Sequence, residues 1–185
     1  MKRNIPAWKV LHSKIIHSTP WIQLIEDACD VDGKTVVYTY LKRVDEGPLV
    51  IPETANGKLW MVRQYRHPIK KVLWQFPVEG KLKDESWEEA AQRGLQEELQ
   101  LSAGTLKNLG HYYPDPGSLD QKFMVFLAQD LLPVLTEHHH SSTEVEDLEI
   151  ASFSRNEIHQ LIESGDIADN WTLAALYLYD RSRAK

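Results

Sequence analysis

The chain has 185 residues, 42% of them hydrophobic, and a formal charge of -6 at pH 7. This suits one globular domain with a sizeable core, excludes a disordered chain, and argues against a general nucleic-acid surface. No run reaches the length of a membrane span, the start MKRNIPAW lacks the apolar stretch of a signal peptide, and Cys29 is the only cysteine. A cytoplasmic protein with no internal disulfide and no nucleic-acid or membrane partner is therefore expected.

From the N-terminus, short β-prone pieces surround Ser18-Thr19-Pro20, and Trp21 to Ile25 reads as a strand. Asp32-Gly33 is a turn signal between two such runs, which predicts a hairpin. The alternation in Val37-Tyr38-Thr39-Tyr40-Leu41 supports its second strand. Leu49 to Ile51 gives another strand. Asn56-Gly57 then turns the chain into Leu59-Trp60-Met61-Val62, and Arg63-Gln64-Tyr65-Arg66-His67-Pro68 follows.

The organising stretch is WQFPVEGKLKDESWEEAAQRGLQEELQLSAG, residues 74 to 104. A strand around Val72 to Phe76 is ended by Pro77 and turned through Val78-Glu79-Gly80. Ser86, with Glu89 three residues on, has the capping-box spacing of a helix start. Ala90, Leu95 and Leu99 supply its apolar side, and Gly104 is the expected stop. Glu85 precedes the cap, and Glu97 and Glu98 lie further along, with Arg93 one turn before Glu97. Adjacent carboxylates repel, so such a set can hold a divalent cation, which takes oxygen ligands. The alternative is a solvated helix face with an ordinary Arg93–Glu97 pair.

Downstream, Leu106 to Leu109 begins a short strand, and His111 to Ser118 is a turn-rich loop holding Pro116 and Gly117. Phe123 to Leu127 reads as a buried strand. The tract His138-His139-His140 reads as a solvated loop, since adjacent side chains do not converge on a closed metal site. Glu144 and Glu146 precede an alternating strand, Leu148 to Phe153. Ser154 with Glu157 starts a helix with Ile158, Leu161 and Ile162 as its stripe, ended by Gly165. Asp169 or Asn170 caps a last helix.

Residues 79 to 101 resemble the signature of the Nudix hydrolases, G-x5-E-x7-R-E-U-x-E-E-x-G-U, where U is aliphatic. With Arg93 on the box arginine, Glu85, Leu95, Glu97, Glu98 and Leu101 match. Glu79 stands at the first glycine, Gln100 at the last glycine, and Gly94 at the glutamate after the arginine. In the family that glutamate holds metal or is linked to the attacking water. From sequence, neither Glu79 nor Gln100 can be assigned as its substitute.

Gln64 to Pro68, Phe76-Pro77 and the ending SGDIADNWTLAALYLY are similar to the ADP-ribose pyrophosphatase branch, so the resemblance spans roughly residues 20 to 180. It implies an α/β protein, a Nudix-type α/β/α sandwich over 46–185, with an N-terminal β-rich extension over 1–45 that serves a homodimer. It implies a phosphorylated small-molecule substrate, with ADP-ribose split to AMP and ribose 5-phosphate, and Mg2+ or Mn2+ as cofactor. Glu97, Glu98, Glu85 and Glu146 are the implied metal set, and Glu144 the implied general base. Arg93 orients the acids. Arg63 and Arg66 lie by the substrate phosphates or are structural cations. Trp21 stacks on adenine, or is an interface or core tryptophan. Pro116 and Gly117 belong to a substrate-selecting loop. The alternatives are a Nudix-fold nucleotide-sugar or dinucleotide binding protein impaired in catalysis by Gly94, and a structural dimerisation module.

Overall fold

Asp32 and Gly33 turn the chain with φ of 52° and 80°, the positive pair that a two-residue hairpin loop requires. The Asp30 carboxylate accepts the Gly33 N–H at 2.8 Å and fixes that turn. In the computed structural model, which describes residues 5, 7–44, 46–134 and 148–184, the turn joins β2 (Ile22–Val31) to β3 (Lys34–Arg43). β1 (Lys9–Ser18) pairs antiparallel with β2, giving the order β1-β2-β3. Trp21 lies outside the strand, which starts at Ile22. The chain divides into two units. The first runs to Glu46 and adds Tyr113–Gln121. That added loop runs along β3: the Leu41 N–H donates to the Ser118 carbonyl at 2.8 Å, and the Asp120 N–H to the Leu41 carbonyl at 3.1 Å. β2 alternates, burying Ile25, Asp27 and Cys29, whereas every residue of β1 is exposed.

The second unit begins with β4 (Gly47–Pro52), all six residues of which are buried. β5 (Leu59–Arg66) follows, then a 3-10 turn over His67–Ile69 and β6 (Lys71–Gln75). Next come α1 (Trp87–Leu99), β7 (Leu101–Tyr112), β8 (Phe123–Pro133), β9 (Glu149–Phe153), α2 (Arg155–Ser164) and α3 (Asn170–Arg183). Two three-stranded sheets form, β4-β8-β7 and β6-β5-β9. β4 runs parallel to β8, and all the other pairs are antiparallel.

Alternate residues of β4 point to opposite faces. Leu49 and Ile51 join Leu59, Met61, Ile158 of α2 and Leu176 of α3 in one core cluster. Val50 joins Val62, Ala91, Leu95 and Phe126 in the other, beneath α1. Helices therefore cover both faces, which makes the unit an α/β/α sandwich. Burial on both faces also explains why β4 and the start of β8 are unbroken apolar runs. A fully buried leucine such as Leu95 contributes about 2–3 kcal/mol of this packing.

Two sequence expectations are corrected. α1 does not run towards Gly104: it ends at Leu99, and Gln100 takes the left-handed cap with φ 55°. Gly104 lies within β7, where a Cβ would come 2.9 Å from Asp130 Cβ. β7 is also no short strand at Leu106. It spans twelve residues from Leu101, because pairing with β8 carries polar and glycine positions along with it. Among the described residues no helix is long and apolar enough to cross a membrane. His138, His139, His140, Glu144 and Glu146 lie outside the described residues.

Candidate active site

The turn after β6 is tied to β4. The Val50 N–H donates to the Pro77 carbonyl at 3.0 Å, and the Glu79 N–H to the Pro48 carbonyl at 3.3 Å. At its far end the loop enters α1 through a complete capping box. Ser86 Oγ accepts the Glu89 N–H at 3.1 Å, and the Glu89 carboxylate accepts the Ser86 N–H at 2.7 Å. Such a cap contributes about 1 kcal/mol and fixes where the helix starts. The positions of the acids on α1 follow from that start.

Arg93 gathers them. Its Nε and Nη2 grip both oxygens of Glu85, at 2.9 and 3.0 Å. Its Nη1 lies 3.1 Å from Glu79 and 3.2 Å from Glu97, and Nη2 also donates to the Gly80 carbonyl. Glu98 accepts the Val78 N–H at 3.1 Å, which sets it against the turn. Three carboxylates thus share one guanidinium, and a fourth, Glu98, follows Glu97 directly on the helix. Burial pushes the Glu79 carboxyl above its ordinary range, Arg93 pulling against the rise and Glu97 adding to it. The Arg93 hydrogen bonds hold Glu85 below the ordinary range, and Glu85 in return pushes the Arg93 guanidinium further above its ordinary value.

Mg2+ and Mn2+ take carboxylate oxygens, and Glu79, Glu97 and Glu98 offer oxygen donors alone. Glu85 is committed to Arg93 and to the Leu82 N–H at 2.9 Å. Among the described residues, no three or more His, Cys, Asp or Glu side chains are already gathered to hold a metal. The acids fit a divalent ion by the kind of donor they are, with Arg93 as the counter-charge of Glu79 and Glu97.

The other expected site residues fall elsewhere. Arg63 pairs with Glu149 at 3.1 Å and lies over the Trp74 ring at 5.9 Å. Arg66 donates to Gln75 at 2.6 Å and lies over Trp171 at 5.6 Å. It lines a cleft of about 470 Å³ with Lys71, Gln75, Asp169 and Trp171, and no box acid lines that cleft. Trp21, Pro116 and Gly117 belong to the first unit. Trp21 is 67% exposed, and the Gly117 carbonyl accepts the Tyr38 hydroxyl.

The profile of the NUDIX domain matches residues 45–172. The chain belongs to the Nudix family. It is 33% identical over 128 residues to an ADP-ribose pyrophosphatase of Bacillus subtilis, covering 69% of this chain and 68% of that one. It is 27% identical over 173 residues to an ADP-ribose pyrophosphatase of Mycobacterium tuberculosis, covering 91% and 81%. A solved structure described as an ADP compounds hydrolase superposes with a TM-score of 0.84 at 21% identity, covering 97% of this chain and 96% of that one, and shares the fold. As a Nudix hydrolase of the ADP-ribose pyrophosphatase-like kind, the protein is a pyrophosphohydrolase.

Sequence reasoning missed Glu79 as a site residue. It stands where the Nudix box has glycine, so pattern matching counts it only as a mismatch. Its displacement from the helix hid its partnership with Arg93. The one available signal was that an acid appears at one box position where an acid is lost at another.

Proposed function

We propose that this Nudix protein hydrolyses a nucleoside diphosphate-linked substrate, ADP-ribose, to AMP and ribose 5-phosphate with Mg2+ or Mn2+. The observation that carries the reading is the gathering of Glu79, Glu85 and Glu97 on Arg93, with Glu98 fixed to the Val78 N–H beside them. Glu97 and Glu98 are the residues that would hold the ion. The names of the two pyrophosphatase relatives support the choice of substrate.

A bound divalent ion would neutralise diphosphate charge and make water more acidic. The remaining work falls to the chain. Arg93 holds the acids in register against their mutual repulsion. Glu144 takes the proton from the attacking water as its oxygen bonds to phosphorus and the anhydride P–O bond breaks, and Glu146 assists at the ion. Arg63 and Arg66 offer positive charge to the phosphates. Trp21 offers a face to adenine, and Pro116 and Gly117 shape the selecting loop. We also propose a cytoplasmic homodimer formed through the N-terminal sheet, where Trp8, Val10, Leu11 and Ile15 are exposed. Light scattering that returns the mass of one chain would remove the dimer.

The test is product-resolved hydrolysis of ADP-ribose, nucleotide sugars and dinucleotides with Mg2+ or Mn2+. AMP and ribose 5-phosphate are expected from the parent, falling at least about 100-fold in Glu98→Gln. A preferred substrate other than ADP-ribose would replace that part of the reading. Metal-dependent nucleotide binding without any product would replace the enzyme with the binding protein.

A further inference from the structure

The box departures at 79 and 94 meet in space. A Cβ built on Gly94 falls 2.7 Å from Glu79 Cβ and 3.4 Å from Glu79 Cγ. A side chain at 94 therefore requires Glu79 to shift. The common Nudix pattern has glycine at the first of these positions and glutamate at the second, and this chain has each residue in the other's place. The change is therefore reciprocal rather than two separate losses.

The main chain of Glu79 has no room to retreat. A Cβ on Gly47 would come 2.0 Å from the Glu79 carbonyl oxygen, so β4 abuts it directly. The Glu79 N–H is held by Pro48, and its carboxylate accepts the Gly80 N–H at 2.9 Å. From this fixed base the side chain lies across Gly94, and its oxygen reaches the same Arg93 nitrogen that Glu97 reaches. A quarter of the side chain remains open to water, so an ion can approach.

We propose that Glu79 is a metal-holding carboxylate of this site, taking the place of the acid absent at position 94. This rests on the reading that the site takes a divalent ion, and it names the residue that completes it. The acid of the box has moved from helix to loop. Gly94 is then the residue that makes room for it, rather than a defect in the box.

Mn2+ titration of the purified protein without substrate tests this, with unbound Mn2+ followed by electron paramagnetic resonance. Thermal melts followed by circular dichroism check that each variant is folded. Glu79→Gln keeps the shape of the side chain and removes its charge. It is expected to weaken Mn2+ binding about tenfold or more, while Glu79→Gly/Gly94→Glu returns to within about threefold of the parent. Unchanged Mn2+ affinity in Glu79→Gln overturns the proposal, as does a parent that binds no Mn2+. If the double variant does not fold, Glu79→Gln decides alone. Loss of Mn2+ binding in Glu79→Gln, with a parent that does not hydrolyse ADP-ribose, upholds Glu79 and removes the substrate reading. ADP-ribose hydrolysis with undiminished Mn2+ binding in Glu79→Gln does the reverse.

Discussion

Helices α1 and α2 start in the same way and end in the same backbone conformation, but they differ in what they do between. Both open with a Ser–Glu capping box, at Ser86 and Glu89 and at Ser154 and Glu157. Both close on a left-handed residue. In α2 that residue is Gly165, for which the conformation is free of steric cost, and in α1 it is Gln100. α2 has no internal glycine and one buried residue, Ile158. α1 carries Gly94 in its interior and buries five residues. The helix that keeps to local rules is scaffold. The helix that departs from them has a tertiary partner for the departure inside it, since Gly94 faces Glu79.

The sharpest way to break this comparison is to give α1 the side chain it lacks. Gly94→Ala is expected to lower stability by about 1–2 kcal/mol, overpacking against Glu79 outweighing the usual gain of alanine over glycine in a helix. In a Glu79→Gly background the same change should raise stability by about 0.5–1 kcal/mol. Urea unfolding of the four proteins measures the reversal, and a Gly94→Ala effect of one sign in both backgrounds would remove Glu79 as its cause. A smaller effect tests what the helices share. Ser86→Ala and Ser154→Ala should each cost about 1 kcal/mol by the same measurement. The smallest tests their ends. Gln100→Gly should stabilise by about 0.5–1 kcal/mol, and Gly165→Gln should destabilise by a similar amount. Equal midpoints for either variant and the parent would mean that the left-handed cap carries no strain.

What the sequence made legible was mostly local. The two capping boxes, the Asp32-Gly33 hairpin and the stop at Gly165 each depend on residues within one turn, and all are found in place. The box acids were legible because an aligned pattern fixes their spacing, and Arg93 because its partner Glu97 is one turn away. The end of α1 was not, since glutamine rarely takes a left-handed cap and Gly104 offered a more ordinary stop. β7 was underestimated because Gly104, Asn108 and Gly110 interrupt its alternation, with a bulge between Asn108 and Gly110. The contact of Glu79 with Gly94 escaped because a loop separates the two residues, and only the fold closes it.

That contact also constrains the order in which sequences can change. Two single-step routes connect a box with glycine at 79 and glutamate at 94 to the arrangement found here. One passes through glutamate at both, which drives two side chains into a space where one Cβ already comes within 2.7 Å of the other. The other passes through glycine at both, which leaves an opening that water can enter. On steric grounds the second route is the passable one, since it never places two side chains in that space. What either position tolerates therefore depends on the residue at the other.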